Sequence, residues 1–179
     1  MDRQTVSAVI DVLAVMTLIG QGIVVVLIGL LVYVRLINKS KKLPKLVNFV
    51  SSNNMGAALI VATVATLGSL FLSEIAKFTP CELCWFQRIF MYPQVVILGI
   101  GVWKNEMSAR MYALPLAVIG FLIASYHYVL QMYPGLPCTD EVASCAAKQF
   151  ANFGYITIPM MSWTAFLLII LFLLFPRKK

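Results

Sequence analysis

Apolar residues run almost continuously through five stretches of the chain, separated by short polar connections. The first stretch is Val9 to Val34, interrupted by Asp11 and Gln21 and containing Gly20, Gly22 and Gly29. The others run from about Met55 to Leu72, Phe86 to Trp103, Met111 to Leu130 and Ile156 to Phe175. A helix crossing the roughly 30 Å hydrocarbon layer needs about 20 apolar residues, and in lipid a helix satisfies its own backbone polar groups. Five membrane-spanning helices are therefore expected. The first run is longer than the apolar core of about 7–15 residues in a cleaved signal peptide. It also ends in basic residues, so it reads as a retained helix. Pro93, Pro115 and Pro159 fall within or near span starts, where neighbouring helices can satisfy the freed backbone groups.

Composition agrees. Of 179 residues, 61% are hydrophobic and 12% charged, and the mean hydropathy is +0.89, whereas soluble domains are about 45–50% apolar and about 25% charged. A soluble globular protein is excluded, and an all-α integral membrane protein is expected. With roughly 100 residues in lipid, any chemistry must use short loops and helix ends. The basic, polar stretch from Asn38 to Asn54 separates one leading helix (residues 1–50 with its linker) from a compact set of four (residues 51–179). The leading helix carries no evident chemistry and reads as an accessory or packing element, since function inside a membrane is usually marked by ionisable groups.

A net charge of +7 and a pI near 9.4 would suggest nucleic acid in a soluble protein; here the basic residues mark topology instead, and no nucleic-acid partner is expected. Arg35, Lys39, Lys41, Lys42, Lys45, Lys104, Arg110, Arg177, Lys178 and Lys179 fall on one side of the alternating spans. Arg3, Lys77, Arg88 and Lys148 fall on the other. Basic loops stay in the cytoplasm. The N-terminus and the loops 73–85 and 131–155 are thus expected outside it, together with all four cysteines.

Cys81 and Cys84 form Cys-Glu-Leu-Cys after Pro80, at the outer start of the third span; Cys138 and Cys145 lie seven positions apart in the second outer loop. An even number of cysteines outside the cytoplasm usually means disulfides, and two inert bridges pinning the loops are one reading. A Cys-x-x-Cys at a helix N-terminus, however, meets the positive end of the helix dipole, which favours the thiolate and lowers the thiol pKa. Such a pair is suited to exchange. Arg88 follows Cys84 by four positions and Cys81 by seven, on one helical stripe; it could act on the sulfurs or snorkel to the headgroups. Zinc is a third reading, since four thiolates can make a tetrahedral site. The wide spacing of the second pair, the neighbouring arginine and the compartment weigh against it. His127, the sole histidine, lies near the outer end of the fourth span with Gln131 on the same face; it could contact a ligand or be a hydrogen-bonded structural residue. The aromatics near the span ends, including Trp85 and Trp163, fit an interfacial belt and do not discriminate.

The segment Pro80-Cys-Glu-Leu-Cys-Trp-Phe-Gln-Arg88 resembles the signature of the bacterial disulfide-bond formation protein B family (DsbB, called BdbC in Gram-positive bacteria). Residues His127 to Pro134 resemble that family's His-x-x-Leu-Gln-x-Tyr-Pro, and Phe153 to Pro159 resemble its entry into the last span. The resemblance covers about residues 55 to 175.

It implies a four-helix membrane bundle in the bacterial cell membrane. This bundle would oxidise an extracytoplasmic thioredoxin-like (DsbA-like) thiol oxidase and pass the electrons to a membrane quinone, menaquinone or ubiquinone. By position, Cys138 would form the mixed disulfide with the partner and Cys145 would pair with it. Cys81 would exchange with the loop pair, Cys84 would face the quinone, Arg88 would stabilise negative charge there, and His127 would border the quinone ring. Two features depart from the best-known members: the shorter stretch between Cys138 and Cys145, and the additional first helix. Vitamin K epoxide reductase homologues perform similar chemistry, but their loop cysteines precede the Cys-x-x-Cys. The competing expectations are a non-enzymatic membrane subunit with two structural disulfides and a zinc-stabilised membrane protein.

Overall fold

Helix follows helix along the chain. The computed structural model describes residues 3–34, 45–106, 108–133 and 145–175; Cys138 lies outside them. The described helices are α1 (Arg3–Val32), α2 (Lys45–Leu70), α3 (Glu82–Trp103), α4 (Ala109–Met132) and α5 (Ile158–Leu174), with α2 prolonged by a π-helical turn over Phe71–Ile75. Among the described residues the extended pairing is confined to one antiparallel bridge, Asn152 to Ile156. The helices of α1 to α4 are long and apolar enough to cross a membrane. At 1.5 Å per residue, the 17-residue α5 covers about 25 Å, so its approach through residues 145–157 forms part of the same end. This is a multi-pass helical membrane protein.

Helices α1 to α4 begin before their hydropathic runs, whereas α5 falls within its own. Helix α2 already starts at Lys45, inside the polar stretch expected to separate the leading helix from the rest, and α3 starts at Glu82 rather than Phe86. Hydropathy marks the part that faces lipid, whereas backbone hydrogen bonding continues into the polar interface.

Small residues let the helices approach, as is usual where lipid removes the hydrophobic drive for helix association. On α4, Ala113, Ala117, Gly120 and Ala124 share one buried face. At Gly120 an added Cβ would lie 2.3 Å from the Phe166 ring, so this aromatic of α5, fully buried, sits directly on the α4 backbone. The core joins Met55, Ala58 and Ala62 of α2 to Met91 and Leu98 of α3 and to Phe166. Two amides add polar ties: Gln94 Nε2 donates to the Ala113 carbonyl at 3.2 Å, and Asn54 Nδ2 donates to that of Phe175 at 3.0 Å.

One end of the bundle is closed by loops that dock on one another. Gln149 Nε2 donates to the Thr79 carbonyl at 3.0 Å, and the Phe78 and Phe150 rings are 6.0 Å apart. The turn before α5 is held by two hydrogen bonds between Asn152 and Ile156. It bends through Phe153 at φ 53° and Gly154 at φ 82°, a left-handed geometry that glycine adopts without steric cost. Cys81, Cys84 and Cys145 all lie at this end.

Candidate active site

Cys81 is the N-cap of α3, extended at φ −74° and ψ 172°, and Glu82 places an acidic residue in the first turn, where the helix dipole favours it. The motif's spacing puts Cys84 one turn further on, and the two Sγ atoms are 3.2 Å apart. A disulfide needs about 2.05 Å, a difference that side-chain rotation can close. Cys81 is 5% exposed, while Cys84 is half-buried.

The end of α4 presents His127 to this pair. Its Nε2 lies 3.1 Å from the Cys145 carbonyl oxygen and 3.7 Å from Cys81 Sγ, and its Nδ1 lies 2.9 Å from Gln87 Nε2. A carbonyl oxygen can only accept, so the proton belongs on Nε2; Nδ1 then accepts from the Gln87 amide. The imidazole is 2% exposed, and its Nε2–H is aimed at Cys145 and Cys81. Gln131, on the same face of α4, donates from Nε2 to the Ala147 carbonyl at 3.3 Å. Cys81, Cys84, His127, Gln131 and Cys145 border a crevice of about 20 Å³, room for about one water molecule.

A second, larger cavity of about 330 Å³ lies on another side of the dithiol, bordered by Cys84, Gln87, Arg88 and Tyr92 of α3 and by Ser69 of α2. Its remaining lining is mostly apolar. Arg88 is oriented by Ser69: Nε donates to Ser69 Oγ at 3.0 Å, and Nη2 donates to the Ser69 carbonyl at 3.2 Å. The guanidinium lies 5.2 Å from the centre of the Trp85 ring, a cation–π distance. Arg88 and Cys84 thus share the larger cavity, Cys81 and His127 face the crevice, and Cys84 borders both. His127 does not line the cavity that holds Arg88.

The two sulfurs do not benefit equally from the helix N-terminus. Cys81 donates its thiol hydrogen to Cys84, and this bond, with burial, pushes the Cys81 thiol up to about 12, against a smaller lowering by His127. A general fall in thiol pKa at the helix start is therefore not found at Cys81: as the N-cap residue it holds the proton that its neighbour accepts.

The ligand atoms of Cys81, Cys84 and His127 lie within 4.8 Å of one another, close enough to hold a metal ion. Metal coordination would require the His127 nitrogen facing the sulfurs to give up its proton and its bond to Cys145, so the hydrogen-bond pattern favours thiol chemistry.

Sequence reasoning singled out Cys81, Cys84, Cys145, Arg88 and His127, which the fold gathers at one end, and missed Gln87 and Ser69. An amide inside a span is costly unless partnered, which was a usable signal for Gln87. Ser69, in the preceding helix, offered none.

Residues 52–176 match the family described as Disulfide bond formation protein DsbB. The chain is 48% identical over 121 residues to Disulfide bond formation protein C of Bacillus subtilis (strain 168), covering 65% of this chain and 87% of that protein. It is 43% identical over 133 residues to the Probable disulfide formation protein C of Halalkalibacterium halodurans, covering 71% and 96%. It is 39% identical over 121 residues to a Probable disulfide formation protein of Coxiella burnetii, covering 65% and 82%. No solved structure matches the chain. A dithiol at the head of a membrane helix, flanked by an arginine and a buried histidine, is thus carried by a chain that belongs to the DsbB family of disulfide bond formation proteins.

Proposed function

We propose that this protein reoxidises an extracytoplasmic thioredoxin-like (DsbA-like) thiol oxidase and delivers the electrons to a membrane quinone, menaquinone or ubiquinone. The observation that carries this reading is the position of Cys84, which borders both the crevice shared with Cys81 and Cys145 and the apolar cavity shared with Arg88. Exchange with a water-soluble donor and delivery to a lipid-soluble acceptor require such a two-sided sulfur. The excess of basic residues in the connections opposite the cysteine end supports an extracytoplasmic dithiol.

The cavity fits a quinone: its volume of about 330 Å³ falls in the range of small-molecule sites, its walls are mostly apolar, and the Arg88 guanidinium provides donors for a carbonyl oxygen. When bound, the quinone supplies an acceptor for two electrons and two protons. The chain's residues do the rest. The reduced partner's thiolate attacks Cys138 of a Cys138–Cys145 disulfide, and release of the oxidised partner leaves the loop pair reduced. A loop thiolate then attacks Cys81, breaking a Cys81–Cys84 bond and leaving Cys84 as the thiolate. The second loop sulfur resolves the mixed disulfide, freeing Cys81 as a thiol. His127 Nε2–H steadies charge on the Cys81 side, while Arg88 steadies charge on Cys84 and on the acceptor oxygen, where water is excluded and such interactions count most. Two thiols become one disulfide at each stage, and relative reduction potentials set the direction.

Quinone reduction by a reduced thioredoxin-like oxidase, followed with the purified protein, tests this. Cys84→Ser and Cys138→Ser should each abolish turnover; full activity in either would refute the relay. Redox titration separates the relay from two structural bridges, which should resist reduction to below about −300 mV.

A further inference from the structure

The family match begins at residue 52, so α1 lies outside it. The cavity beside Cys84 is nevertheless not built by the matched helices alone. Leu13, Met16, Thr17, Gly20 and Ile23 of α1 line it as well. The Thr17 hydroxyl is returned to the Leu13 carbonyl at 2.8 Å, so this side of α1 offers mainly apolar surface.

Helix α1 is held in place by specific contacts at several levels. At Gly20 an added Cβ would lie 3.2 Å from both Leu168 Cδ1 and Thr164 Cγ2, and one at Gly68 would lie 3.3 Å from Leu13 Cδ2. Lower down, Val24 and Leu27 join Val47, Leu168 and Phe175 in one buried cluster. The two polar interruptions of the leading apolar run are also accounted for. Asp11 Oδ1 accepts from Asn152 Nδ2 at 2.6 Å, and Gln21 Oε1 accepts from the Tyr155 hydroxyl at 2.8 Å. Both partners belong to the turn that leads from Cys145 into α5. Between the Leu13–Gly68 contact and the buried cluster, Met16, Ile19 and Ile23 of α1 and Ile60, Val64 and Ala65 of α2 border the cavity. Ile19 and Ile60 there are more than half exposed, to what a bilayer would cover.

We infer that α1 is a wall of the acceptor site, and that the isoprenoid tail of the quinone lies along Met16, Gly20 and Ile23 while Cys84 and Arg88 hold its ring. This rests on the quinone reading above and gives the leading helix a binding role in place of simple packing. The occupant is set by the two ends of the cavity: a sulfur and a guanidinium at one, and an apolar trough open to lipid at the other.

The test uses the full-length purified protein and two probes, a radiolabelled quinone with a decyl tail and a quinone with a photoreactive group on its tail. Met16→Trp and Ile23→Trp fill the trough. Val12→Trp and Val25→Trp, at positions that are 57% and 71% exposed and do not line it, control for bulk on α1. Trough-filling should raise the Kd for the decyl quinone about tenfold while kcat at saturation changes less than about twofold, the pattern of lost uniform binding. The controls should bind like the unaltered protein. Photolabelling should fall on the α1 peptide and be displaced by excess quinone but not by phospholipid. Equal Kd in the filled and control variants, label confined to other helices, or displacement by phospholipid would overturn the role of α1 while leaving the quinone reading intact, provided that the unaltered protein binds and reduces quinone. Failure of the unaltered protein to bind quinone would refute both.

Discussion

Gln87 Nε2 donates to His127 Nδ1 across the α3–α4 interface at 2.9 Å, and together with the Cys145 carbonyl that accepts from Nε2 this bond sets which imidazole nitrogen faces the sulfurs with a proton. Because the chain has a single histidine, the tautomer can be read directly. In protein labelled with ¹⁵N-histidine, the spectrum should show the ring protonated at Nε2 and accepting at Nδ1. Gln87→Leu should shift the ring toward a mixture of tautomers. An unaltered Gln87→Leu spectrum would show that the Cys145 carbonyl suffices to set the tautomer.

The proton on Cys81 gives a pH dependence with a definite sign. With its thiol pushed up to about 12 by the Cys84 hydrogen bond and burial, Cys81 of the reduced protein should be a thiol at neutral pH. The thiolate is the reactive form, so its alkylation should rise about tenfold per pH unit from pH 7 to 10 without a plateau. Cys84→Ala removes the largest cause of the shift. Peptide-resolved mass spectrometry should then find Cys81 alkylated faster at pH 8 than in the unaltered protein.

Arg88 directs two donors to Ser69, a planar arrangement that lysine cannot reproduce. Arg88→Lys keeps the charge but loses its placement and should slow quinone reduction by roughly 10–100-fold, toward the range seen when one preorganised donor is lost. Ser69→Ala should have a smaller effect in the same direction. Steady-state kinetics with a water-soluble quinone would measure both, and full activity in Arg88→Lys would argue that the arginine serves only as a charge.

The α4–α5 contact can be tested apart from the chemistry. An added methyl at Gly120 would meet the Phe166 ring at 2.3 Å, so Gly120→Ala should destabilise the bundle by about 1–3 kcal/mol, as overpacking does. Thermal unfolding in detergent should show the loss. Adding Phe166→Leu should recover part of it, because the two changes act on one contact and are not additive.

Much of the molecule was legible in the linear chain. Spans are readable because a helix in lipid must be apolar over a fixed length. Cys-Glu-Leu-Cys before an apolar run signals a dithiol at a helix start, and four-residue spacing puts His127 and Gln131 on one face. These are local properties, set by helix period and by the solvent.

What only the tertiary structure decided depends on how the helices rotate and approach one another. Periodicity brings His127 near the cysteines but does not say which side of the dithiol it takes; the α3–α4 packing turns it to Cys81 and Cys145, away from the cavity that holds Arg88. Asp11 and Gln21 looked like mere interruptions of the leading helix until the fold supplied Asn152 and Tyr155, more than 130 residues away, as their partners. Ser69 acquires its part from Arg88, and α1 borders the cavity because Gly20 lets it lie close on α5. Side-chain chemistry and helix period are written along the chain; cavities and hydrogen bonds between distant residues exist only once helices pack.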